Sequence, residues 1–211
     1  MLVVHQRART TPLLPLDLLR IPLFSLSMLT SICSYSAQTL AMVSLPFLLE
    51  HQLARSTSVA GLLITPWPLV IVFVAPLAGR LSDRYPAGVL GSIGLAILAA
   101  GLVLTASLPA SPGNLDIAWR IALCGIGFGF YQTPNNRVLL SSGPRERSGV
   151  ASGMMATARV MGMTLGAALA AMAFDIGGER GTTIALFGGA IFAGVGIVLS
   201  CLRLVTRTQA S

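Results

Sequence analysis

The chain has 211 residues, of which 54% are apolar and 10% charged, and its mean hydropathy is +0.80. A water-soluble domain carries roughly 25% charged residues, so a soluble globule is a poor description of it. The net charge of +7 comes from arginine alone, and those arginines sit between apolar runs instead of forming one basic face, which argues against a nucleic-acid partner.

Residues 1–20 contain Arg7, Arg9 and a short apolar run broken by Pro15 and Asp17. That run is too short for a secretory signal core and reads as a cytoplasmic segment lying in the membrane plane. Charged residues then divide the chain into stretches that can be compared with the ~20 apolar residues a helix needs to cross the hydrocarbon core. The predicted spans are residues 21–49, 57–79, 87–108, 117–140, 149–174 and 181–202, giving a six-helix domain over 21–203 and a cytoplasmic tail over 204–211. Arg120 and Arg137 bound the fourth span and can snorkel. The fifth carries a single charge, Arg159. The runs are continuous and not alternating, which selects helices over barrel strands.

Orientation follows from the arginines, because cytoplasmic loops carry the positive excess. Arg7, Arg9, Arg20, Arg80, Arg84, Arg137, Arg145, Arg147, Arg203 and Arg207 fall at alternate ends that share one side. The other side has Arg55, Arg120 and Arg180 together with Glu50, Asp116, Asp175 and Glu179. Both termini are therefore expected in the cytoplasm, and the location in a cell (inner) membrane.

The third span carries Gly88, Gly91, Gly94 and Gly101, the fourth Gly125, Gly127 and Gly129, and the second Pro66, Pro68 and Pro76. Such residues allow close helix approach and bends, as they do in any tightly packed membrane bundle. An internal echo links the two halves of the domain. Ser58-Val-Ala-Gly-Leu opens the second span and Gly149-Val-Ala-Ser-Gly-Met the fifth, while Ser34-Tyr-Ser-Ala-Gln38 in the first span is answered by Tyr131-Gln-Thr-Pro-Asn-Asn136 in the fourth. Two triplets of helices then run in opposite senses, the inverted-repeat plan of secondary transporters.

The stretch Gly79-Arg-Leu-Ser-Asp-Arg-Tyr-Pro-Ala-Gly88 resembles the loop signature between the second and third helices of a six-helix half in the major facilitator superfamily, with Val89 where a basic residue is usual. Gly153, Gly162 and Gly166 reproduce the glycine spacing of the antiporter motif of its drug exporters, with Ala167 where that motif has proline. With Cys124-Gly-Ile-Gly-Phe-Gly-Phe-Tyr-Gln-Thr-Pro-Asn-Asn-Arg137 and Ala158-Arg-Val-Met-Gly162, the chain from about Pro12 onward resembles the C-terminal half of EmrB/QacA-type drug:proton antiporters, nearest to exporters of methyl viologen and quaternary ammonium compounds. The resemblance implies an all-α integral membrane fold of six transmembrane helices, one 3+3 half of a major facilitator. It also implies a lipophilic-cation substrate and either an N-terminal transporter half or a second copy as partner within the lipid bilayer.

The resemblance places the first helix of each triplet along a central cavity. The expected substrate-lining residues are Tyr35, Gln38, Trp67, Tyr131, Gln132, Asn135 and Arg159, with Phe128, Phe130 and Met42 as apolar or cation–π contacts. Arg159 lies about 16 Å into the fifth helix, where an arginine costs ~2.5–3.5 kcal/mol unless it faces a cavity or partner. It is either an anchor within the domain or part of the pathway. The expected conformational residues are Gly79, Asp83, Arg84, Gly88, Arg137, Gly153, Gly162 and Gly166, with Asp83 pairing with an arginine or capping a helix.

No Asp or Glu lies inside a span, so a proton-titrating carboxylate is expected in another half. The separated Cys33, Cys124 and Cys201 and the isolated His5 and His51 offer no metal or disulfide pattern. Without a phosphate-binding loop or nucleophile constellation, neither a cofactor nor an enzyme is expected. Three readings remain: a transporter half that needs a partner, a homodimerising half-size carrier, and a non-transporting membrane scaffold.

Overall fold

The structure, a computed structural model, describes residues 19–141 and 148–208, with side chains described as far as Leu204. The expectations placed on residues 1–18, on Arg145 and Arg147, on the Arg207 side chain and on the end of the tail lie outside the described residues. No strand occurs among the described residues. The helices are α1 (Pro22–Phe47), α2 (Thr57–Ile64), α3 (Pro66–Leu81), α4 (Ala87–Ala106), α5 (Asn114–Ser141), α6 (Ser148–Gly177) and α7 (Gly181–Thr208).

Local chemistry sets the ends and breaks. Pro22 opens α1 in the first turn, where its missing amide hydrogen costs nothing. Pro46 removes a donor near the other end, and the chain continues as a π-helical turn over Leu48–Gln52 before Ala54 turns it with a positive φ of 48°. Pro66 and Pro68 interrupt the ladder between α2 and α3, yet Thr65 N still bonds Gly61 O and Leu69 N bonds Thr65 O, so the two form one bent rod. Within α1, the hydroxyls of Ser27, Thr30 and Ser31 bond the carbonyls of Leu23, Leu26 and Ser27 four residues back, which lets a serine-rich segment remain helical in an apolar setting.

The rods pack in the order α3, α5, α4, α7, α1, α6, with α4 against α7 at the centre. Exchanging the triplet α1, α2–α3, α4 for α5, α6, α7 maps this order onto its own reverse: α3·α5 becomes α6·α1, and α5·α4 becomes α1·α7. The 3+3 repeat read weakly from short sequence echoes is thus a property of the packing. The α4 and α7 rods form a back row, and α3, α5, α1 and α6 a front row.

Small residues make the contacts close. A Cβ at Gly162 or Gly166 on α6 would stand 2.6 Å from Ile32 O or Ser36 O of α1. On the symmetry-related crossing, one at Gly125 on α5 would stand 2.5 Å from Trp67 O of α3. Gly94 and Gly127 interlock α4 and α5. Between these crossings lie Leu45, Leu49, Trp67, Leu95, Leu98, Leu102, Ile117, Ile121 and Phe128, all buried.

Polar side chains tie the connections together at each end. Asp83, in the turn between α3 and α4, pairs with Arg137 near the end of α5. At the opposite end, Arg55 donates to Pro112 O (2.8 Å), and Gln52 reaches Glu179 O and the Thr182 hydroxyl. The rods Pro22–Gln52, Thr57–Leu81 and Ala87–Ala106 and the joined stretch Ser148–Leu204 are each long and apolar enough to cross a membrane. The α5 rod is more polar, and its polar residues build the site described next.

Candidate functional site

The front row brings Tyr35 of α1, Gln132 and Phe128 of α5 and Arg159 of α6 into one cluster. Gln132 Nε2 donates to the Tyr35 hydroxyl at 2.9 Å, and the Tyr35 ring meets the edge of Phe128 at a centroid distance of 5.6 Å. The Arg159 guanidinium lies 5.5 Å from the Tyr35 ring centroid, in cation–π range. Sequence positions fix this arrangement. Gly162, one turn on from Arg159, lets α6 reach the backbone of α1, with the Tyr35 Cβ only 2.8 Å from where its own Cβ would stand. Arg159 is therefore held across Tyr35 and remains exposed on the front of the bundle. Gln38 lies one turn further along α1, half-buried and without a hydrogen bond among the described residues.

Tyr35 itself is only 5% exposed, and three further residues expected to line a cavity are enclosed as well. Trp67 is 1% exposed, packed between α3 and α5 in the core, and Tyr131 and Asn135 are 1% and 2% exposed on the side of α5 that meets α1 and α4. Phe128 is likewise buried, so it supports Tyr35 from behind; Phe130 and Met42 are half-buried.

Tyr131 and Asn135 belong to a network centred on a residue that by sequence counts only among the arginines of the cytoplasmic side. Arg203 of α7 is 2% exposed. It donates to Asn135 Oδ1 (2.6 Å), Ser27 Oγ (3.1 Å) and Ser200 Oγ (2.9 Å). Asn135 Nδ2 donates to Ser31 Oγ (2.8 Å), Ser200 to Gly88 O (3.0 Å), and the Tyr131 hydroxyl approaches Ser31. The network joins α1, α4, α5 and α7. The helical spacing of Ser27 with Ser31, Tyr131 with Asn135 and Ser200 with Arg203 is the sequence signal for it.

The conformational residues divide as well. Asp83 and Arg137 are exposed and pair with each other, with Ser82 as a second acceptor for Arg137 (2.9 Å), while Arg84 is exposed. Gly88 sits against Leu204 and Ser200 of α7, where a Cβ would clash at 2.8–3.0 Å. Two glycines differ from expectation. A Cβ at Gly153, which lies on an exposed face of α6, would meet nothing within 4 Å, and one at Gly79 would make only ordinary contact with Thr133 at 3.7 Å. Gly162 and Gly166 alone carry the close packing of the fifth-span glycines.

A separate open cleft of about 590 Å³ lies at the opposite end, between Phe47 at the end of α1 and His51 of the π-turn on one side and Phe174 of α6 with Glu179 and Arg180 of the α6–α7 connection on the other. It contains none of the expected site residues. Among the described residues no cluster of metal-ligating side chains occurs.

Comparison with known proteins agrees with this geometry. The chain is 54% identical over 200 residues to the uncharacterized transporter YebQ of Escherichia coli (strain K12), an alignment covering 95% of this chain and 44% of that protein. It is 32% identical over 166 residues to the multidrug resistance protein Stp of Mycobacterium tuberculosis (strain ATCC 25618 / H37Rv), covering 78% and 30% of the two chains. It is 30% identical over 145 residues to the riboflavin transporter RibZ of Clostridioides difficile (strain 630), covering 69% and 32%. The chain thus spans less than half the length of these relatives. Residues 17–211 match the Major Facilitator Superfamily, and with its all-helical apolar bundle the chain belongs to that family of multi-pass membrane transporters, which are not enzymes.

Proposed function

We propose that this chain is the C-terminal half of an EmrB/QacA-type secondary transporter that exports lipophilic small molecules in exchange for protons, working against an N-terminal six-helix half. The observation that carries the reading is Arg159: an exposed cation about 16 Å into α6, within its apolar stretch, on the front of the bundle beside aromatic and amide groups. A charge at that depth belongs beside a water-filled or ligand-filled cleft and not against lipid. The front rods also expose apolar side chains that a second bundle would cover, including Val72 and Phe73 of α3 (66% and 72%) and Val160 and Met161 of α6 (60% and 54%). The greater length of the relatives makes an additional half a better occupant than a second copy, and alternating access between two bundles then opens the Tyr35–Arg159 cluster to either side.

The titrating carboxylate is assigned to the other half, because Glu50, Asp83, Asp116, Asp175 and Glu179 all lie at helix ends or in connections. The names of the relatives, drug resistance among them, support a lipophilic substrate. A lipophilic cation, which the sequence resemblance implies, would need the Tyr35 ring, since Phe128 is enclosed behind it. Since Arg159 already covers Tyr35, such a cation needs its compensating charge from the other half. The membrane is proposed as the cell (inner) membrane with both termini cytoplasmic, from the arginine distribution.

The test is accumulation of a panel of fluorescent dyes in energised inverted vesicles containing the natively expressed protein with any further segments it carries. The reading expects accumulation that a protonophore abolishes. Accumulation equal to that of vesicles lacking the protein refutes it.

A further inference from the structure

We infer that Arg159 and Tyr35 form an anion-accepting subsite, so that the part of the substrate bound by this half is a planar aromatic group carrying a carboxylate or an acidic hydroxyl. The inference rests on the transport reading above and specifies the charge that its site takes. It begins from the imbalance of the cluster. Arg159 brings a full positive charge, and neither ion pair found among the described residues, Arg120–Asp116 nor Arg137–Asp83, involves it. The carboxylates nearest in sequence are Glu146, thirteen residues before it and outside the described residues, and Asp175, more than four turns further along α6 near its far end. Apart from the cation–π contact with Tyr35, the guanidinium makes no hydrogen bond or ion pair among the described residues, and the planar fork of N–H donors that any arginine carries suits a planar, two-oxygen anion.

Tyr35 completes the donor set. Its oxygen accepts the Gln132 Nε2 hydrogen at 2.9 Å, and among the described residues nothing accepts the hydroxyl's own hydrogen. Acceptance from an amide polarises that O–H and makes it the better donor to an anionic oxygen. The Phe128 edge fixes the ring at 5.6 Å, so the donor is positioned before any ligand arrives. Two donors side by side, with Gln132 as a further polar group and apolar surface around them, describe a site for a flat acid. A flat cation would meet Arg159 at the ring it needs. The low dielectric at this depth strengthens both the attraction and the repulsion.

The negative charge has two sources, a substrate or a carboxylate of the other half, and the experiment separates them. Natively expressed protein in inverted vesicles is assayed with fluorescein as the planar anion, Nile red as a neutral dye and ethidium as the cation, each for binding and for energised uptake. Wild-type protein is expected to bind fluorescein at least tenfold more tightly than Arg159→Gln, with Arg159→Lys, which keeps the charge but not the fork, recovering only part of the loss. Tyr35→Phe is expected to cost severalfold for fluorescein, and Nile red should change less than twofold throughout. Ethidium should be unchanged or improved in Arg159→Gln. Equal losses for all three dyes, or no preference for fluorescein in the wild type, overturn the proposal. If a carboxylate of the other half supplies the charge, Arg159→Gln instead exposes a group that reacts with a carbodiimide in substrate-free vesicles, and this too overturns it. If wild-type protein neither binds nor moves any of the dyes, the transport reading itself fails, a result distinct from a change in charge preference.

Discussion

At the scale of single residues, the closest backbone contacts predict where side chains are tolerated. Gly162→Leu or Gly166→Leu forces α6 away from carbonyls that a bare Cβ would already meet at 2.6 Å, so each should destabilise the detergent-solubilised protein by about 1–3 kcal/mol in thermal unfolding. Gly153→Ala should leave the midpoint within about 0.5 kcal/mol, since open space surrounds that position. Asn135→Leu removes the acceptor of one Arg203 hydrogen bond and the donor to Ser31 together, and a cost of about 3 kcal/mol is expected in the same assay. If Asn135→Leu unfolds at the wild-type temperature, the buried network is not contributing as described. The sequence marked Tyr131, Gln132 and Asn135 alike as polar residues in an apolar run. It could not distinguish them, because adjacent helical positions differ by ~100° and the rotation of α5 decides that Gln132 faces Tyr35 while Tyr131 faces the interior. The role of Arg203 was not legible for a related reason: a charge at the end of a span gives no sign of its partners until Ser27 of α1, Asn135 of α5 and Ser200 of its own helix are seen around it.

At the scale of elements, the pairing of rods is the feature most exposed to test. In a background without Cys33, Cys124 and Cys201, Ile71→Cys with Gly129→Cys should form a disulfide on mild oxidation. The Cβ of residue 129 would stand 3.6 Å from that of residue 71, within disulfide range. With a protease site inserted in the 107–113 connection, the two fragments should remain joined until reduced; fragments that separate without reductant would contradict the α3·α5 crossing. The rods themselves were legible in the sequence because hydrocarbon imposes a minimum apolar length, and charges mark where each rod leaves it. Their neighbours were not legible, since helices that are apolar all round carry no stripe to announce which face meets which partner. Glycine positions supplied that information only in part: Gly125, Gly127 and Gly162 lie at crossings, whereas Gly153 and Gly79, identical in kind, do not.

At the scale of the whole molecule, the bundle has a saturated back and an unsaturated front. The α4 and α7 rods join the two triplets, while α3 and α6 extend apolar side chains outward on both sides of a front that also carries Arg159. Lipid can cover the apolar flanks but not the arginine, so the front is where a second bundle is expected and where substrate would pass. The proposed orientation makes a separate prediction: reporter fusions after Arg84 should be active only as cytoplasmic reporters, and fusions after Glu179 only as reporters on the other side. The requirement for a second half is the claim on which the functional account depends most. It is tested directly by measuring dye efflux from transporter-deficient cells expressing residues 1–211 alone, or together with a six-helix N-terminal half of a full-length relative such as YebQ. The account predicts efflux at the background rate for the chain alone and energy-dependent efflux when the halves are combined; robust efflux by residues 1–211 alone would contradict it.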